Sequence, residues 1–198
     1  MTIPSVLGIS GSVTRPSRTT TLVSAVLDAI TARTPVRPRL VELVDAGPTL
    51  FSALTSDKLQ GSAAEIVRAV ETADVLVVGT PVYRASYTGA LKHLFDLIRY
   101  DALVGKPVVL LATGGTPLHG LVAEHQLRPL FGYFNTLTVP TTIYAVETDF
   151  RDYRLVNPAI ADRIDRVVTE VVTLLGADTA TAFGPAAAAH NLPAALSA

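Results

Sequence analysis

Short apolar runs alternate along the chain with amphipathic stretches, and that alternation sets the expected architecture. Residues 6–9 are a compact apolar run ending in Ser10, Gly11 and Ser12. Beyond Pro16 and Ser17, apolar residues fall at Leu22, Val23, Val26, Leu27 and Ile30, spacings that gather them on one side of a helix. Residues 36–44 alternate loosely and predict a second strand. Ala63, Ile66, Val67 and Val70 form another helical stripe. Residues 75–78, continuous and mostly β-branched, predict a strand buried on both faces. Ala90, Leu91, Leu94, Phe95 and Ile98 make a helical face; Gly105, Lys106 and Pro107 punctuate; residues 108–112 predict a fourth strand. Residues 118–134 read as helix, with Pro129 as a kink or late boundary. Residues 136–146 read as a fifth strand region in which Pro140 argues for an edge or a break. Ile160, Ile164, Val167, Val168, Val171, Val172 and Leu175 predict a last helix.

Five strands alternating with five helices imply βαβ units, hence an α/β fold: a doubly wound parallel sheet with helices on both faces. Residues 1–176 are expected to form one domain. Residues 177–198, rich in Ala and Pro and without periodicity, read as a tail or as an arm on a partner subunit. Composition narrows the classes. With 49% hydrophobic and 17% charged residues, the chain is not a mainly disordered one. Its 16 Lys plus Arg against 17 Asp plus Glu lack the basic surplus of a nucleic-acid coat, and imply no strongly acidic docking face either. Zero Cys excludes disulfides, thiolate metal sites and a Cys nucleophile. The N-terminal stretch does not have the pattern of a signal peptide, and no apolar run approaches the about 18 to 20 residues of a membrane span. The expectation is a cytoplasmic protein with no nucleic-acid or membrane partner.

In an open α/β sheet, ligands bind beyond the carboxyl ends of the strands. Three loops there are loaded with Gly and hydroxyl residues: one after the first strand through Thr19, one from Gly79 to Gly89, and one from Thr113 to His119. In the first, Ser10, Ser12, Ser17 and Thr19 offer hydroxyls, Arg15 or Arg18 offers charge, and a helix N-terminus favours an anion. This is either a phosphate cradle or an ordinary helix cap at Ser17 beside a solvated Arg. The G-x-x-x-x-G-K-[ST] motif is missing, which argues against nucleoside-triphosphate hydrolysis, and so is G-x-G-x-x-G, which argues against a dinucleotide domain. Hydroxyls in place of glycines suit a terminal monophosphate such as that of FMN. His93, His119 and His125 give no metal-ligand spacing, and no metal is expected; there is no Ser/His/Asp triad. His93 reads as a satisfied helix residue, and His119 as a candidate contact beside the third loop. Tyr83 borders the prospective site; Tyr87 either borders it or covers the sheet. Asp96 and Arg99 read as surface or subunit-contact charges.

Three segments, GSVTRPSRTTTLV, GTPVYRASYTGALKHLFDL and LATGGTPLHGLVAEHQLRPLF, together resemble the flavodoxin-like NAD(P)H-dependent FMN reductases, above all those of alkanesulfonate and methanesulfonate desulfonation. The resemblance runs from about Val6 to Leu175. It implies a five-stranded sheet of order 2-1-3-4-5 with FMN across the three loops. By position, Ser10, Ser12, Ser17, Arg18 and Thr19 hold the phosphate. Arg15 joins them, although the place of the family's Arg is taken here by Thr14. Pro81, Val82 and Tyr83 run along the isoalloxazine edge, and Thr113, Gly114, Gly115 and Thr116 border its pyrimidine side. Hydride passes between cofactors, so no catalytic side chain is expected, and the backbone N–H groups of a Gly-Gly turn suit the charge of reduced flavin.

The implied activity is oxidation of NADH or NADPH, with reduced FMN supplied to a partner flavin-dependent monooxygenase of sulfonate desulfonation. The rivals are a flavodoxin-type electron carrier and a quinone or azo reductase with tightly bound FMN. A homodimer or homotetramer is also implied. The apolar stretch 86–100 either adds to that subunit surface or fills a thick core. In sulfonate-type relatives the helix after the third loop carries an inserted ring-bearing residue that widens one turn into a π-bulge. Gap-free matching puts His125 there, as a residue of flavin transfer; otherwise His125 is a polar residue on a solvated face beside Glu124 and Gln126.

Overall fold

The computed structural model describes residues 3–176, and its main sheet is parallel throughout. Strands β1 (Ser5–Ser10), β2 (Arg37–Glu42), β3 (Val75–Pro81), β4 (Pro107–Gly114) and β5 (Leu137–Thr138) lie in the order 2-1-3-4-5 that the resemblance implies. A further strand, β6 (Ile143–Val146), also pairs with β4, farther along it than β5 does. The fifth position of the sheet is therefore one strand broken around Pro140. Arg128 fills the break: its guanidinium donates to the Thr138 hydroxyl (2.6 Å) and to the carbonyls of Val139 (3.3 Å) and Pro140 (3.4 Å). The tail expected at 177–198 lies outside the described residues.

The unbroken apolar runs alternate inside the sheet as period-2 geometry requires. Leu76 and Val78 face one layer of core, with α2 (Leu43–Leu50), α3 (Gly61–Thr72), α4 (Gly89–Asp96) and α5 (Arg128–Tyr133). Val75 and Val77 face the other, with α1 (Arg18–Arg33) and α6 (Pro158–Gly176). Helix α1 sits unusually low on the sheet. A Cβ on Gly8 would stand 2.6 Å from Leu27 Cδ1, and one on Gly79 would stand 2.5 Å from Val23 Cγ2. Glycine at both positions lets the N-terminus of α1 reach β4, where the Thr19 and Thr113 hydroxyls are 2.6 Å apart. Among the described residues, no helix is long and apolar enough to cross a membrane.

Four expectations change. The second strand stops at Glu42, and Leu43 and Val44 open α2, a helix hidden in the sequence by Gly47 and Pro48 yet held by buried Leu43, Ala46 and Leu50. The number of helices is six rather than five among the described residues. Helix α4 is shorter than residues 86–100: the Thr88 hydroxyl caps it by accepting from Leu91 N–H (3.2 Å), and its stripe of Leu91, Leu94, Phe95 and Ile98 is buried in the chain's own core. A thick core explains those four residues, whereas Tyr100 at the end of the same stretch is 69% exposed. The helix expected over 118–134 comes in three pieces: a 3₁₀ turn (Pro117–His119), a π-helical turn (Ala123–Leu127) and α5. Pro129 lies in the first turn of α5, directly after the π turn, and so falls at a boundary between two helical pieces.

Candidate functional site

The three loops converge on a cleft of about 270 Å³ beyond the carboxyl ends of β1, β3 and β4. From the first loop, Ser12, Thr14, Pro16, Ser17, Arg18 and Thr19 line it. Ser17 is extended and caps α1, its Oγ accepting from Thr20 N–H (3.2 Å). That bond uses a lone pair, so the hydroxyl proton stays available to an anion. The N–H groups of Arg18 and Thr19 precede the first intrahelical bond, which Thr21 N–H makes to Ser17 C=O (3.1 Å). Gly11 N–H donates to Gly79 C=O (2.7 Å) and locks the loop against β3; a Cβ there would stand 3.0 Å from that oxygen.

Two of the residues assigned to this loop sit elsewhere. Ser10 is fully buried, and its hydroxyl pairs with Thr20 Oγ1 (2.8 Å) below the cleft. Arg15 turns away, donating to both carboxylate oxygens of Asp45 (2.6 Å each) and to Glu42 (2.5 Å). These acceptors lie 27 and 30 positions on, at the end of β2 and the start of α2, which no reading of the loop itself could place. They raise the guanidinium's pKa further, and Arg15 holds the Asp45 carboxyl below the usual carboxylate range. Arg18 is thus the arginine of this loop that faces the cleft.

From the second loop come Pro81, Val82 and Tyr83. Val82 N–H donates to Thr113 C=O (2.8 Å), tying this loop to the third. Tyr83 and Ser86 exchange backbone bonds (2.9 and 3.1 Å) around Arg84 (φ 52°) and Ala85 (φ 65°), a tight turn with both central residues left-handed. Tyr87 packs on the core instead. The third loop contributes Thr113, Gly114 and Gly115. Thr116 does not line the cleft; its carbonyl accepts from the Tyr144 hydroxyl (2.5 Å). Burial pushes the Tyr144 phenol up from its ordinary range. A Cβ on Gly114 would stand 2.0 Å from the same hydroxyl oxygen, so the turn is open because position 114 has no side chain.

Hydroxyls, one facing arginine and unpaired helix N–H groups at one end, with bare glycine backbone at the other, suit a phosphorylated flavin. The model of one family, the NADPH-dependent FMN reductases, matches residues 4–151. The chain belongs to that family. It is 46% identical over 172 residues to the NADH-dependent FMN reductase SfnE of Pseudomonas putida, covering 87% of this chain and 92% of the relative. It is 42% identical over 177 residues to an FMN reductase (NADPH) of Pseudomonas aeruginosa, covering 89% and 95%. Among solved structures, the apo form of an NADH:FMN oxidoreductase, EMOB, superposes with a TM-score of 0.77 at 32% identity, covering 87% of this chain and 89% of that one. The fold is flavodoxin-like, the enzyme an NAD(P)H-dependent FMN reductase.

Outside the three loops, the reductase has features placed by longer-range contacts. In the π-helical turn, Arg128 N–H donates to Ala123 C=O, five residues back. His125 stands exposed at its centre. Gln126 Oε1 accepts from the Ser86 hydroxyl (3.1 Å), joining the π turn to the Tyr83 loop. Glu124 accepts from Arg128 (2.5 Å) and from the Thr142 hydroxyl (3.0 Å), and the guanidinium holds its carboxyl below the usual range. His119 is exposed and does not line the cleft. His93 is 3.0 Å from the Leu50 carbonyl and stacks on Phe51. Asp96 pairs with Lys92, and Arg99 with Glu71, as surface charges do. Tyr153 also lines the cleft, and sequence reasoning missed it. It sits in a hairpin, β7 (Phe150–Arg151) with β8 (Arg154–Leu155). The one available signal was the doublet Phe-Arg and Arg-Leu around two turn residues, without the Gly or Asn that marks such turns.

Proposed function

We propose that this reductase takes FMN as a substrate, reduces it with NADH or NADPH, and releases it to a separate flavin-dependent monooxygenase of the sulfonate-cleaving kind. The reading is carried by one arrangement: a pocket of hydroxyls, Arg18 and helix N–H groups suited to a phosphate, lined also by the exposed Tyr83. In this reading Ser12, Ser17, Arg18 and Thr19 hold the phosphate. Pro81, Val82 and Tyr83 flank the ring system, and Thr113, Gly114 and Gly115 meet its pyrimidine side. Bound FMN supplies the hydride acceptor for the nicotinamide. The chain's own task is to orient both ligands and to offer a backbone N–H donor from Gly115, just past the end of β4. A formal charge of -1 gives no support to a carrier that docks by an acidic face. Dependence on the nicotinamide pool fits a cytoplasmic address.

The test is NADH and NADPH oxidation by the colourless protein with and without added FMN. Turnover that requires added FMN is expected. A purified protein stoichiometrically yellow, with no response to added FMN, would remove the substrate reading.

The π turn is proposed to serve flavin release. Leu118, 89% exposed, and Leu121, 62% exposed, lie just before it and form an apolar surface suited to a second copy of the chain, hence a homodimer or homotetramer. Deleting His125 takes one residue out of the wide turn and should restore i→i−4 bonding. FMN is then expected to bind several-fold more tightly and to leave more slowly, read by quenching of flavin fluorescence and by stopped-flow transfer. Unchanged affinity and transfer would detach the π turn from release.

A further inference from the structure

Tyr153 occupies the tip of the β7–β8 hairpin and faces the cleft, 39% exposed. Strands of two residues each cannot fix a tip by themselves. Contacts with the rest of the chain do so here. The buried Asp149 carboxylate accepts from Val146 N–H (2.7 Å) and Asn157 Nδ2 (2.6 Å), closing the hairpin's base. On α1, the Thr21 hydroxyl donates to the Tyr153 carbonyl (2.9 Å). Both turn residues, Asp152 (φ 49°) and Tyr153 (φ 61°), are left-handed without being glycine; Asp tolerates that conformation, but a bulky Tyr keeps it only where the surroundings impose it.

The ring so placed meets one partner. The Arg18 guanidinium carbon lies 5.2 Å from its centroid, and Arg18 also forms an ion pair with Glu147, just before the hairpin. The two contacts act differently on the cation. A carboxylate neutralises it and competes with any incoming anion. An aromatic face attracts it while leaving its charge and its N–H groups available.

We infer that Tyr153 is a positioning residue which, through Arg18, makes the site select a phosphorylated flavin over an unphosphorylated one, with Glu147 as the internal competitor for the same guanidinium. The inference rests on the reading of the first loop as the phosphate site. It assigns the hairpin a role in ligand selection rather than in hydride transfer.

Equilibrium titration of flavin fluorescence with FMN and with riboflavin, on the full chain, tests it without turnover. The quantity read is the ratio of the riboflavin Kd to the FMN Kd. Tyr153→Ala should lower that ratio by roughly two- to tenfold, the range of one cation–aromatic contact at a partly exposed site. Tyr153→Phe keeps the ring and should keep the ratio within about twofold on the same ground. Glu147→Gln should raise it. Circular dichroism of each variant verifies the fold. A Tyr153→Ala protein that loses both flavins in proportion, or keeps the ratio, overturns the inference; so does a ratio lowered by Glu147→Gln. Arg18→Ala separates the two levels. If it leaves the ratio untouched, the phosphate reading itself fails. If it collapses the ratio while Tyr153→Ala does not, only the inference fails.

Discussion

Replacing Phe131 with alanine is expected to destabilise the reductase by about 3–5 kcal/mol, the range for emptying a buried aromatic site. Phe131 is fully buried on α5, immediately after the π turn, with its ring edge-on to Phe95 (centroids 4.8 Å, planes at 78°). Phe95 also faces Phe134 at 6.1 Å, so the substitution removes one of the two phenylalanine rings that Phe95 meets. For a chain of this size the loss corresponds to a melting temperature lower by about 6–20 °C. It has a functional side as well. Residues 123–127 carry their irregular bonding directly into α5, and a loosened α5 lets that turn relax. Differential scanning calorimetry measures the first effect, and FMN titration at a temperature where the variant is still folded measures the second. A shift of less than 2 kcal/mol would mean that Leu130 and neighbouring side chains close the cavity.

Gly114→Ala should cost both stability and activity. Its new methyl would overlap the Tyr144 hydroxyl, 2.0 Å away, and crowd the ring carbon bearing it at 2.9 Å. Tyr144 cannot simply swing out, because its hydroxyl is bonded to Thr116 C=O and its ring lies against Gly120. The Gly114–Thr116 turn therefore shifts. Displacing a ligand-orienting loop by about 1 Å costs up to about a hundredfold in rate, so a fall in kcat/KM for FMN of at least tenfold is expected. Overpacking itself costs about 1–3 kcal/mol. The double variant Gly114→Ala, Tyr144→Phe removes the overlapping oxygen and should recover part of the loss, a coupling that steady-state kinetics in a double-mutant cycle would expose. Full activity in the single variant would show that this turn does not orient flavin.

Much of this architecture is legible in the residues. Continuous apolar runs such as 75–78 and 108–112 can be satisfied only inside a covered sheet, and Ser17 declares the start of α1 by its capping chemistry. What escapes is decided by partners far away in sequence. Arg15 looks like a phosphate ligand until Glu42 and Asp45 are brought beside it. Helix α2 contradicts its local preferences at Gly47 and Pro48 because tertiary burial of Leu43 and Leu50 outweighs them. Tyr153 reaches the cleft through a hairpin whose turn lacks the usual glycine. The wide turn at 123–127 has no periodic signature at all, since one extra residue in a helix barely alters the hydrophobic stripe; only likeness to relatives pointed there.

The broken fifth strand has a consequence for the protein in concentrated solution. An exposed sheet margin is a template on which another chain can add a strand. Here one margin is β2, whose first three residues are Arg37, Pro38 and Arg39, two charges around a residue that cannot donate. The other is interrupted at Pro140, and the carbonyls freed by the interruption are already taken by Arg128. Both borders of the sheet thus refuse the same unwanted neighbour by unrelated means, and Arg128→Leu would reopen one of them to fibre-like stacking.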